Sequence, residues 1–275
     1  MTEGAERGAF AVLRDAYAGF SLRSGDMQAG YFAYACLLAI FPFLIFATAF
    51  AGAIIGEARA DEAVAVLLDF APAYLAEVLS PVLVELLRQE YNVFTVFIVL
   101  AIWAAMRAVE ALARSFDAIY GERDRMVWAV RKLKALVTVV VSAAVAVVLG
   151  LLILLAPVIT AELAHLTGIT IPTGFTFARY AVGTVVLFAF LCALHWYLPS
   201  RQAAGYPIWP GAAFSTAAWI AMATGMSVYL AFSGSYTLTY GALAGIVITI
   251  LFLYFTGAIL IFGAELNRAL IGAER

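Results

Sequence analysis

Six long apolar runs alternate with short polar connectors along this chain, each run about the 20 residues that a helix needs to cross a bilayer. They fall at residues 30–55, 93–112, 135–160, 178–198, 208–232 and 240–264. The first is longer than a thin bilayer requires, which predicts tilt or protrusion, with Pro42 a candidate kink. One connector, 57–90, has a pattern of its own. Leu75, Leu79, Val82, Leu83 and Leu86 recur there at helical spacing, while Glu77, Glu85 and Arg88 take the other face. Pro72 and Pro81 mark breaks or first-turn positions. This predicts one or two amphipathic helices lying on the outer membrane surface, or capping the bundle they belong to. The other connectors are short: a polar loop at 117–131 turning at Tyr120 and Gly121, and links at 167–176, 199–210 and 233–239. No repeat of 20–50 residues and no inverted repeat is evident. The expected fold class is all-α: a polytopic membrane protein with six transmembrane helices in a single domain over 29–270, preceded by a cytoplasmic segment 1–28.

Composition supports lipid as the solvent. The chain is 65% hydrophobic and 12% charged, with mean hydropathy +0.99. Soluble domains usually have about 45–50% apolar and about 25% charged residues, so there is too little polar surface here to cover a globule in water. The net charge of −2 points to no nucleic-acid partner; only the distribution of charge is informative.

That distribution sets the orientation. With the N-terminus in the cytoplasm, the inner side holds Arg7, Arg14, Arg23, Arg107, Arg114, Arg123, Arg125, Arg131, Lys132, Lys134, Arg201, Arg268 and Arg275. The outer side holds only Arg59, Arg88 and Arg179. The positive-inside rule therefore places both termini in the cytoplasm. Cys36 and Cys192 both sit inside apolar runs and read as small buried hydrophobes, so no disulfide framework is expected. Charges throughout the first 28 residues leave no apolar core for a cleavable signal peptide, so insertion is expected to rely on the first span.

Several stretches carry a family resemblance. One runs from Tyr31 through Phe41 and Pro42, with an aromatic-rich start; another runs from Ala111 through Arg114, Phe116 and Asp117 to Tyr120. The most specific opens a span on Tyr240 and Gly241 and closes it on Gly263, Ala264, Glu265, Leu266 and Asn267. Together with Tyr197, Leu198, Pro199 and Ser200 before Pro210 and Gly211, their order and spacing resemble the YihY/BrkB family of bacterial inner-membrane proteins over residues 25–270. The chain departs from the commoner pattern at Ala39, where a Ser often stands. The resemblance implies a role in envelope integrity and serum resistance, with lipids or lipid-linked molecules as proposed cargo. It also brings an old label, ribonuclease BN, and no agreed catalytic residues.

The ribonuclease label is tested by the residues. RNA hydrolysis needs acid–base groups or metal ligands converging on one site. The two histidines, His165 in an outer loop and His195 near the inner end of the fourth run, fall on opposite sides of the bilayer in this topology. No HxH, HxxxH or Asp/His cluster occurs, and no P-loop. No catalytic residue, metal site, cofactor or enzymatic activity is expected.

Ionisable groups at span ends are the functional candidates. Arg107, Glu110 and Arg114 share one helical face at the inner end of the second run. They read either as an ion-pair belt anchoring the helix or as a cationic site for a phosphate headgroup. Glu265, Asn267 and Arg268 close the sixth run at the same level, and Glu265 there needs a cation, for which Arg107 or Arg114 is the expected source. Arg179, at the outer start of the fourth run, is a surface anchor or an outer headgroup site. His195, Trp196 and Tyr197 read as an interfacial aromatic belt, and the basic loop 123–134 as a topology signal without further role. Gly52 with Gly56 and Gly241 with Gly245 form GxxxG pairs, which serve packing within the chain or a homo-oligomer. The expected partners are membrane lipids, with envelope proteins reached through the outer loop. The leading expectation is an inner-membrane protein that handles or translocates an anionic lipid; the alternative is a non-transporting envelope scaffold.

Overall fold

The computed structural model of the chain describes residues 8–55, 92–121, 127–155, 173–200, 207–232 and 242–272. Among them every regular element is helical. The seven α-helices are α1 (Ala9–Leu22), α2 (Gly25–Ile55), α3 (Asn92–Tyr120), α4 (Trp128–Gly150), α5 (Thr173–Tyr197), α6 (Trp209–Phe232) and α7 (Ala242–Gly272). A π-helical turn, Leu151–Leu155, continues α4. The connector 57–90, with its expected amphipathic helices, lies outside the described residues, as do His165 and Gly241.

Among the described residues four helices are long and apolar enough to cross a membrane: Trp128–Ile153, Gly174–Tyr197, Trp209–Leu230 and Gly245–Leu270. The first shows why water is the wrong solvent. Its most apolar stretch has mean hydropathy 2.9 and is only 6% buried, so Val140, Val147 and their neighbours face outward bare. An aqueous surface does not tolerate apolar area on that scale, whereas lipid needs it. The helical backbone satisfies its own N–H and C=O groups, as a bilayer core demands. α2 covers the expected first run, and α3 the second.

Helices α3 and α7 extend past the ends of the apolar runs expected from sequence. α3 carries on to Tyr120, so Asp117 is a buried helical residue where a polar loop is expected, and the chain turns only at Gly121, whose φ is +72°. That left-handed backbone is easy for glycine and costly for most other residues. α7 has 31 residues and is about 46 Å long at 1.5 Å per residue, well beyond the hydrocarbon thickness. Its surplus carries Glu265, Asn267 and Arg268. A helix that the apolar pattern does not announce, α1, fills much of the N-terminal segment and breaks before α2 at Ser24, whose φ is +54°.

The chain forms two compact units. The first is built from Met1–Gly25, Ala113–Ile220 and Ile259–Arg275, and so contains α1, the end of α3, α4, α5, the start of α6 and the end of α7. Its core includes Phe116, Ile119, Leu191, Leu198, Ala212, Ile261 and Ala264. The second is built from Asp26–Leu112 and Ala221–Ala258. Its core is made of small residues, Ala29 and Ala33 on α2 and Ala101, Ala104, Ala108 and Ala111 on α3, which let helix backbones approach closely.

Candidate functional site

The first unit holds a set of buried polar groups where α1, α3, α4, α5, α6 and α7 begin or end. Its best-protected members are His195, Ser215, Glu265 and Asn267, each at most 1% exposed. A buried carboxylate without a cation is costly, and the cation is Arg23, just past the end of α1. Arg23 Nε donates to Glu265 Oε1 at 2.6 Å, and Nη2 donates to Oε2, giving the two-pronged pairing that suits guanidinium and carboxylate. Gly19 makes room for this pair, since a Cβ there would strike both Arg23 Nη2 and the Glu265 carboxylate. Phe20 of α1 and Phe214 of α6 pack on Phe262 beside it, with ring centroids 6.0 and 5.2 Å away.

Asn267 solves a different problem. The first N–H groups of a helix have no partner inside it, and Pro210 has no N–H to offer. Asn267 Oδ1 accepts the Gly211 N–H at 2.7 Å, and its Nδ2 donates to the Ile208 carbonyl at 3.3 Å. The side chain of α7 therefore caps the start of α6. The backbones meet closely: a Cβ at Gly211 would collide with the Gly263 carbonyl and the Asn267 amide, and one at Gly263 with the Ser215 hydroxyl and the Gly211 carbonyl. Ser215 in turn donates to the Ile259 carbonyl at 3.2 Å.

His195 lies beside the same crossing. Its ring centroid is 5.1 Å from that of Phe116, and Nδ1 donates to the Leu191 carbonyl at 2.8 Å, since a carbonyl can only accept. Nε2 is buried without a hydrogen-bond partner and lies against Gly263.

A second set fixes the segment after α5. Asp117 Oδ1 accepts the Ser200 N–H and Oδ2 its hydroxyl, both at 2.6 Å. Lys134, at the start of α4, donates to the Pro199 carbonyl at 2.6 Å and sits 4.9 Å from the Tyr197 ring centroid.

The site residues expected from sequence are distributed as follows. Glu265 and Asn267 belong to the buried set. The cation found for Glu265 is Arg23, not the expected Arg107 or Arg114, because α1 folds back onto the end of α7 and delivers Arg23 there. Arg107 and Glu110 fall in the second unit and Arg114 in the first, though all three are on α3. Arg107 is exposed; its Nη2 donates to the Tyr31 hydroxyl at 3.2 Å and its guanidinium lies 5.6 Å from the Trp103 ring centroid. Glu110 is buried and Arg114 exposed. Arg179 sits at the other end of α5 from His195, about 24 Å along the helix by its rise. Its guanidinium lies 4.7 Å from the Tyr180 ring centroid and donates to that hydroxyl at 3.3 Å.

Two sequence expectations need correction. His195 is fully buried rather than part of an interfacial belt, while Trp196 beside it is exposed. Lys134 does more than signal topology, because it holds the carbonyl of Pro199. Both roles depend on contacts with distant residues. Cys36 and Cys192 are free thiols.

In the second unit, an apolar groove of ≈ 310 Å³ runs between α6 and α7, lined by Met222, Gly225, Met226, Tyr229, Leu251 and Phe255 among others. Among the described residues no three His, Cys, Asp or Glu side chains stand close enough to hold a metal ion.

The stretches that carry the resemblance are largely the ones that build the buried set: Phe116 with Asp117, Tyr197 to Ser200, Gly211, and Gly263 to Asn267. Residues 16–274 match the family described as virulence factor BrkB. The chain belongs to this BrkB family. A curated relative, the ribonuclease-like protein YfkH of Bacillus subtilis (strain 168), is 27% identical over 267 residues, covering 94% of each chain. No solved structure matches. The BrkB match begins inside α1 and ends beyond α7, so it takes in both compact units. Its membership and its helices together make this an integral membrane protein.

Proposed function

We propose that this BrkB-family protein is a six-span protein of the bacterial inner membrane, with both termini cytoplasmic, that binds and moves an anionic lipid or lipid-linked molecule. The observation that carries the reading is how its two candidate headgroup cations are held. Arg107 rests on Trp103 and Tyr31, and Arg179 on Tyr180. Among the described residues neither is matched by a carboxylate. An aromatic face orients a guanidinium and leaves its charge for an anion. Glu265, by contrast, is neutralised inside the protein and serves the fold. The basic residues on the two sides of the spans support the orientation, and the apolar groove between α6 and α7 offers a place for an acyl chain.

The ribonuclease-like name of the Bacillus relative belongs to that protein. RNA cleavage needs convergent acid–base groups, and the two strongest cation sites here stand on aromatic rings instead.

The test is lipid analysis of protein purified from membranes, by mass spectrometry, for the wild type, Arg107→Ala and Arg179→Ala. An anionic lipid enriched with the wild type and several-fold depleted in either variant is expected. A wild type that carries no enriched lipid removes the reading. Stoichiometric crosslinking of a protein partner to the connector 57–90 would then favour a scaffold.

A further inference from the structure

Helix α1 presents three lines of residues, and each has a different character. Val12, Ala16 and Gly19, at spacings of four and three, are buried against the rest of the first unit. Phe10, Leu13 and Tyr17, at spacings of three and four, point outward and are 82%, 45% and 68% exposed. Arg14 and Ala18, one turn apart, form a third exposed line, on which Arg14 pairs with Asp15 at 3.4 Å and which ends at the exposed Leu22, the last residue of the helix. A helix in water with a folded domain on one side would need only two characters, buried and polar. A third, bulky and apolar line calls for a third medium.

The position of α1 identifies that medium. It is held to α7 by Phe20 on Phe262 and by Arg23 on Glu265, and both α7 residues lie in the last turns of the candidate span Gly245–Leu270. The end of α1 is also only eight residues along the chain from the apolar run that begins at Gly30. Polar headgroups extend roughly 5–8 Å beyond each side of the hydrocarbon core, so α1 is at that boundary. Arg14 and Asp15 cancel in charge, so anionic lipid is not what draws the helix to the surface.

We infer that α1 is an interfacial helix, lying along the membrane boundary with Phe10, Leu13 and Tyr17 inserted among lipid chains, Arg14 and Ala18 in water, and Val12, Ala16 and Gly19 on the protein. Helices with separate apolar and polar faces bind membranes in this in-plane manner. Tyr17 suits the role, with an apolar ring and a polar tip. The inference stands apart from any cargo the protein moves.

Nitroxide labels on the full chain in nanodiscs of zwitterionic and anionic lipid provide the test. In a background of Cys36→Ala and Cys192→Ala, single labels go in through Leu13→Cys, Tyr17→Cys, Arg14→Cys and Ala18→Cys. Positions 13 and 17 should be relaxed by oxygen, which concentrates in lipid, and shielded at least several-fold from a water-soluble nickel reagent. Positions 14 and 18 should show the reverse, equally in both lipids. Nickel access at all four positions overturns the inference, because the apolar line is then in water. So does shielding of 13 and 17 from both reagents, because protein then covers them. All four sites are exposed, so labelling disturbs little packing, and the contrast between the two lines is an internal control for folding.

Discussion

Arg23 and Glu265 are separated by 242 positions in the chain, and their side chains are joined by two hydrogen bonds. The acid is almost fully buried, whereas the Arg23 side chain keeps 24% of its surface. The pair fastens the end of the first helix to the last helix, and its asymmetry makes its two halves unequal under mutation.

Arg23→Ala leaves a carboxylate buried with no cation, which should cost about 3 kcal/mol, the lower end of the range for breaking a buried pair because Arg23 still meets solvent. Glu265→Gln keeps the shape and one of the two acceptors, while its NH2 cannot accept from Arg23; the freed guanidinium can turn outward, so the cost should be about 1 kcal/mol. Unfolding titrations in detergent micelles measure both. Equal losses would show that Glu265 has a second strong cation.

Asn267→Ala removes the acceptor for the Gly211 N–H and the donor to the Ile208 carbonyl, both in a buried crossing. A loss of about 1–3 kcal/mol is expected. Asn267→Asp keeps the acceptor but buries a carboxylate with no cation and sets one of its oxygens against the Ile208 carbonyl, so it should cost at least as much. Comparing the unfolding midpoints of the two variants checks the order.

Gly211→Ala and Gly263→Ala each drive a methyl group into backbone that cannot move aside. Each should destabilise by about 1–3 kcal/mol, as overpacked sites do. Gly225→Ala, on the same α6, meets nothing within 4 Å. It should be neutral or gain up to about 1 kcal/mol from helix propensity. Thermal melts of the three variants should therefore differ in sign, and a drop for Gly225→Ala would mean something fills that space.

Asp117→Ala deletes two charge-assisted bonds to Ser200. About 2–3 kcal/mol should be lost, and Ser200→Ala, which removes only the hydroxyl bond, should lose less than half of that. Proteolysis of the 199–210 connector in membrane vesicles provides the readout. Faster cutting in Asp117→Ala is expected, and unchanged cutting would show the segment to be held by other contacts.

The candidate site was half legible. Glu265 and Asn267 stood out because ionisable and amide groups at the end of an apolar run are costly and need a reason. Arg107 and Arg179 stood out for the same reason, and each is found on an aromatic face. Arg23, Ser215 and Gly211 carried no such signal: an arginine in a charged N-terminal segment, a serine in an apolar run and a glycine after a proline are all ordinary. Their importance lies in contacts with α7.

By itself the sequence determined the solvent, the helical class and the long apolar stretches that four of the described helices carry, because these depend on local composition and on a backbone that must satisfy itself in lipid. It missed α1, whose apolar line is short and interleaved with charge. Only the tertiary structure decided which charges are buried, which cation answers Glu265 and why glycine stands at 211 and 263. Those outcomes depend on which side chains meet across helices far apart in the chain, and no local pattern encodes that meeting.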